Sequence, residues 1–259
     1  MMNNRKEIIN GVEFTFPSIL YKYRCWSNPL HHKILTDNEV YLASPRDFED
    51  VYDCNVPEKY PSKDQLFDYF FNIVYAERPQ LTRQQKRACA RQLVKRSPLA
   101  HPKLRKLISE RFAQVFHNCF GVLSMTADCN NDEMWRKYGD NHKGFCIGID
   151  TRLLFECVGG GGDVTYEDKL PTIDFFGDDF MTKHFKGIFV KENKWRFEKE
   201  YRLHKRWDHV VTNDERNIEL PINSIVKIIL GNNMPLHDKL EIIRIAKRFH
   251  PNAEIIENK

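Results

Sequence analysis

A mixed α/β fold, closer to α+β than to a regular alternation, is what this sequence predicts. Short runs with strand-type alternation are dispersed among helix-type periodicities. No internal repeat or low-complexity segment appears. A length of 259 residues with 41% hydrophobic and 12% aromatic content is enough to close one core. Residues 1–259 therefore read as one domain, with a helical block inserted at 63–117. MMNNRKEIINGVEF holds no apolar run, and no window approaches the roughly 18 apolar residues of a spanning helix, so a soluble, cytoplasmic protein without a membrane partner is expected. The seven cysteines show no CxxC spacing, and neither they nor His31 and His32 suggest a metal site. Reduced, mostly buried thiols are the expectation.

SILYKYRCW alternates as a strand ending at Arg24. Ser27 is placed to cap a short helix with Pro29 in its first turn, running through LHHKIL to Asp37-Asn38. EVYLAS is a second strand closed by Pro45. Three helical patterns fill 63–76, 82–96 and 101–117. NCFGVLSMT then reads as a strand, NDEMWRKYG as a short helix capped by Asn131 or Asp132, and KGFCIGID as a strand. Gly159 to Gly162 form a turn; it lacks the Lys-Ser/Thr of a phosphate loop, and Asp163 places an acid beside it. DVTYED is a strand, 172–186 a helix, and KWRFEKEYRLHKRW (194–207) a strand. SIVKIILG, LHDKLEIIRIAKRF and AEIIE follow as strand, helix and strand.

Charge is unevenly distributed. Between Arg78 and Arg111 eleven basic residues face one acid, Glu110, a local charge of +10 in a chain whose total is +4. Within it Arg83, Arg87, Arg91, Lys95 and Arg96 fall on a predicted helix, three or four residues apart or adjacent. Such a run fits a polyanion such as RNA or DNA; a solvated face, or a dock for an acidic protein, is the competing reading.

On an extended chain Glu198, Glu200, Arg202 and His204 share one face, with the two carboxylates roughly 7 Å apart. Carboxylates that close raise each other's pKa unless cations offset them. Trp195 stands beside them as a possible stacking surface for a base, and Trp135 and Tyr138 are neighbours on one helical face, as cleft walls or as core.

LYKYR, YLASPRDFED, MWRKYGDNHKGFCIGID and KWRFEKEYRL, in that order, resemble a family of bacterial proteins carried as a domain of unknown function, number twenty-nine seventy-one, with some members linked to phage defence. The order of an arginine ending the first strand, a serine ending the second and a late Glu-x-Glu is similar to the Arg/Ser/Glu series of ADP-ribosyltransferases. That resemblance implies a split sheet whose cleft holds NAD as co-substrate, without a metal. It implies that Arg24, with Tyr23 beside it, contacts NAD; that Ser44 orients the catalytic carboxylate; that Glu200 stabilises charge on the ribose; and that Glu198 activates the acceptor. Where those enzymes carry Ser-Thr-Ser, this chain has Ala43-Ser44-Pro45. The function so implied is ADP-ribosyl transfer to a macromolecule, with RNA or DNA favoured by the basic run, by a toxin or phage-defence effector that a neutralising antitoxin protein could restrain. Two other readings remain open. Asp150 with Glu167 and Lys169 imitates the ligand set of a Mg²⁺-dependent nuclease, and the basic helices could serve a non-catalytic binding module.

Overall fold

The computed structural model describes residues 4–9 and 12–258. It is a mixed α/β structure built on a seven-stranded sheet. From one edge to the other the strands are Glu254–Glu257, Ile225–Leu230, Phe145–Asp150, Ile19–Arg24, Phe120–Thr126, Glu200–Arg206 and Gly161–Asp163. The first pair is parallel and the rest are antiparallel. Phe145, Ile147, Ile149, Leu123, Met125, Tyr201 and Leu203 line one face, packing with Leu154 and Ile242 into the main core. A smaller cluster of Tyr21, Tyr23, Cys146 and Trp135 covers the other face. The period-2 alternation of the central strands thus sorts side chains between two packed layers.

One junction in the sheet is incomplete. Ile19–Arg24 pairs along its whole length with Phe145–Asp150, but meets Phe120–Thr126 only at Tyr21 and Thr126. At the far end of the same edge, Val122 is bridged instead by Ala43 from the segment after the Glu39–Tyr41 strand. Between these two attachments the edge opens around Ser124, and the Lys22 ammonium donates to the Ser124 carbonyl in place of a ladder amide. The sheet is therefore split, and the split makes a cleft.

The block at 63–117 forms three helices, Lys63–Glu77, Arg83–Arg96 and Pro102–Cys119. Ser62 and Thr82 close capping boxes with Gln65 and Gln85, which satisfies the amides that would otherwise be orphaned at the first turns.

Several expected elements change. An antiparallel hairpin, Asn4–Ile9 with Val12–Pro17, precedes the strand read as the first. Asn28 rather than Ser27 caps the turn before Lys33–Thr36. The glycine turn is shorter than expected, because Gly161 already pairs in the sheet; a Cβ there would stand 2.4 Å from the Arg202 carbonyl oxygen, so only glycine fits against that strand. The helix expected over 172–186 is Phe180–Ile188. Asp174 accepts the amides of Phe176 and Gly177 in a turn, and Asp179 caps the helix at the Thr182 amide. The strand expected over 194–207 is Glu200–Arg206 only; residues 193–198 form a 3₁₀ turn, and Lys199 reverses the chain at φ +42°.

Candidate active site

That last difference changes how the two glutamates are placed. Glu200 projects from the strand, whereas Glu198 hangs from the turn before it, so alternation does not align them. They nevertheless line one cleft of about 370 Å³. The Lys191 ammonium touches both, Glu198 at 2.6 Å and Glu200 at 3.2 Å, and also reaches Asp53 at 3.2 Å. Arg202 grips Glu200 through two parallel bonds of 2.7 and 2.9 Å, and Asp53 through two of 2.9 and 3.2 Å. All five side chains are buried, with Arg202 fully so.

Burial pushes the Glu200 carboxyl upward, but Arg202 and Lys191, with hydrogen bonds from Arg202 and the Ser124 hydroxyl, outweigh it and hold it well below the ordinary carboxylate range. Burial likewise favours neutral Lys191, and Glu200, Asp53 and Glu198 reverse that, holding the ammonium charged. Both are ions at neutral pH. Glu200 takes three charge-assisted bonds from Arg202 and Lys191; Glu198 takes two, from Lys191 and from the Tyr138 hydroxyl at 2.5 Å. A carboxylate has about four acceptor positions, so Glu198 keeps more free capacity for a ligand.

The opposite wall comes from the split strand. Lys22 and Arg24 line the cleft, and among the described residues neither has a carboxylate within ion-pair distance. Burial, then repulsion from Arg24, pulls Lys22 from 10.5 down to about 7, against the opposing pull of Glu200 and Glu198. Burial lowers Arg24 to about 10, which leaves it protonated at neutral pH. Arg24, joined by Lys22 when it is protonated, gives this wall a positive charge without a carboxylate partner among the described residues, a chemistry suited to an anion. The loop carrying Phe48, Glu49 and Asp50 contributes a further part of the lining. Asp50 accepts from the Trp195 indole at 2.6 Å, and Lys137, paired with Glu49, stands 3.8 Å over the Trp195 ring.

Of the other residues singled out from sequence, Tyr23 lines the cleft, but its hydroxyl is committed to the Asp128 carbonyl and the Asn131 amide. Tyr138 lines it and holds Glu198. Trp135 does not: it lies in the core edge-on to Tyr23, donating to the Cys129 carbonyl. Ser44 is also outside. It is fully buried and donates to the His117 carbonyl at 2.8 Å, so the hydroxyl beside Glu200 is that of Ser124. Trp195, expected as a stacking surface for a base, lines the cleft. Arg83, Arg87, Arg91, Lys95 and Arg96 are exposed along one helix, away from the cleft lining, while Lys86 is buried over the Tyr75 ring and pins that helix to its neighbour. Asp150 caps the Thr151–Val158 helix at its N-terminus and pairs with Arg5, whereas Glu167 lies in a separate two-stranded ladder with 190–192. Neither lines the cleft, and among the described residues no group of three or more His, Cys, Asp or Glu could hold a metal ion. No helix of the described residues is long and apolar enough to cross a membrane.

Sequence reading missed Lys22, Asp53, Ser124 and Lys191. Ser124 and Thr126 sit in VLSMT as hydroxyls at i and i+2, a polar alternation inside an otherwise apolar strand that offered a signal. Lys22 offered one too, as a lysine inside a buried strand pattern.

Residues 134–203 match the model of a family described as a protein of unknown function (DUF2971). The matched DUF2971 segment runs from Met134 to Leu203, and so contains Tyr138, Lys191, Glu198, Glu200 and Arg202, the anionic wall and its support. Lys22, Arg24 and Ser124 lie before it. Comparison with curated proteins and with solved structures returned no match.

Proposed function

We propose that this protein is an ADP-ribosyltransferase that consumes NAD in the split-sheet cleft and modifies a macromolecule. The observation that carries the reading is the facing of two counter-ion-free cations, Lys22 and Arg24, against the buried Glu198 and Glu200 across one 370 Å³ space. A diphosphate suits the first pair, since Arg24 offers a planar donor fork and Lys22 a compact charge. Trp195 and Tyr138 supply flat apolar surface for the nicotinamide end. The bond from ribose C1′ to the nicotinamide nitrogen breaks with its electron pair going to the ring, leaving positive charge on the ribose. Glu200, fixed by Arg202, is a negative charge already in place for it, and such preorganisation requires no rearrangement at the moment of reaction. Glu198, with acceptor capacity to spare, takes the proton of the incoming nucleophile as its bond to C1′ forms. Chemistry that depletes NAD and marks a macromolecule suits a toxin or defence effector that a neutralising partner restrains.

The test is incubation of purified protein with adenine-labelled NAD and RNA, DNA or protein acceptors, with and without a chelator. Nicotinamide release and transfer of label should proceed unchanged in chelator, because the carboxylates do the stabilising. Absence of nicotinamide release with every acceptor, or strand scission that needs Mg²⁺, would replace this reading with another.

Lys22 gives the cleft a pH dependence. Below about 7 it carries its charge and above that value it does not. Affinity for ADP-ribose, measured by calorimetry, should therefore weaken as pH rises from 6 to 8, and Lys22→Arg should remove most of that dependence. An unchanged pH profile in Lys22→Arg would separate Lys22 from ligand binding.

A further inference from the structure

Behind the cleft lies a second, larger hollow of about 1060 Å³ between the Pro102–Cys119 and Phe180–Ile188 helices. Its rims carry aromatic rings that a soluble protein ordinarily covers: Phe112 is 68% exposed and Phe180 72%. Interleaved with them are Arg105, Lys106 and Lys183. Lys106 meets Glu110 at 3.8 Å, but among the described residues Arg105 and Lys183 have no carboxylate within ion-pair distance. The Arg105 guanidinium instead stands 5.9 Å from the centre of the Tyr60 ring, with its buried Nε unbonded. The other acid in the lining, Glu58, is engaged by Tyr60 and Ser109. Burial holds His117 and His184 below the ordinary histidine value, so they add no charge at neutral pH.

We infer that this groove binds single-stranded nucleic acid, with bases stacked on Phe112 and Phe180 and phosphates held by Arg105 and Lys183. A positively charged groove interleaved with aromatic faces is what an unpaired strand requires, because each base has a face to stack and each linkage a charge to neutralise. A duplex hides those faces, so the rings select against it. The exposed basic stripe of the Arg83–Arg96 helix adjoins, joined to the groove's helix through the Pro98–Ala100 turn, and extends the positive field along the strand's path. Groove and cleft share a thin partition: Asp53 lines the cleft, Cys54 lines the groove, and Arg202 binds both. Use of the bound strand as acceptor rests on the transferase reading; the binding itself does not.

Fluorescence anisotropy with labelled RNA and DNA oligonucleotides of about 12 nucleotides, single-stranded and duplex and without NAD, tests the inference. Phe112→Ala and Phe180→Ala should each weaken single-strand binding roughly fivefold or more. Arg105→Glu should flatten the dependence of log K on log salt by about 0.7 or more. Circular dichroism melting establishes that each variant is folded, as the exposure of Phe112 and Phe180 and the partial exposure of Arg105 should allow. Duplex bound as tightly as single strand, or variants binding as the parent does, would overturn the assignment and leave the groove to a protein or peptide. Because no NAD is present, failure here leaves the cleft chemistry standing, and failure of nicotinamide release leaves the groove standing.

Discussion

Glu200→Gln should lower nicotinamide release by a factor on the order of 10² or more, while ADP-ribose still binds through Lys22 and Arg24. The neutral amide keeps the shape of the carboxylate but removes the charge that Arg202 and Lys191 hold in place. Glu198→Gln provides the comparison. It should depress transfer to an acceptor more than hydrolysis by water, since a macromolecular nucleophile depends on a positioned base. Release that persists at the parental rate in folded Glu200→Gln would remove Glu200 from the chemistry.

Arg202→Met should be the most damaging single change to stability, by about 3–5 kcal/mol, because it leaves Glu200 and Asp53 buried without their guanidinium partner. The Ile188 carbonyl, bonded to Arg202 at 2.6 Å, also loses its donor. Urea unfolding measures the loss, and a parental midpoint would show that the pair contributes nothing. The same network sets the acid limit. The folded Glu200 carboxyl binds its proton more weakly than the unfolded one, so its contribution is complete above the ordinary value of 4.5 and is given up as pH falls below it. Lys191 is raised, so its share is complete below 10.5 and is lost only as pH climbs through its higher folded value. In Arg202→Met the acid-side slope of stability against pH should be shallower, since one of the two cations that depress Glu200 is gone.

The central strands and the three helices of 63–117 were legible because their signals are local: alternation, helical periodicity and turn residues act within a few positions. So were Arg24, Glu198 and Glu200 as residues of interest. What sequence could not give was their assembly. Asp53 reaches Arg202 across 149 positions, and nothing in either neighbourhood marks the partnership. Ser44 misled for a similar reason. The sequence reads as if it ended a strand, as a cleft serine would, but the strand stops at Tyr41 and Ser44, leading into the Pro45–Asp47 turn, bonds to the His117 carbonyl. The left-handed Lys199 was equally hidden, since neither lysine nor its neighbours signal positive φ, and with it the strand begins at Glu200, six residues later than expected.

The missing rungs beside Ser124 bear on more than ligand space. Two strands that run alongside one another with free amides and carbonyls tend to zip together, and an unzipped edge is also the place where a foreign chain can add itself. Here Lys22 and Arg24 line the gap, and charged side chains directed along an edge oppose pairing from either source. Lys22 goes further by taking the Ser124 carbonyl for itself. The same two residues proposed to receive an anion therefore also suit a role as spacers, holding the sheet ajar and disfavouring the addition of a stray strand.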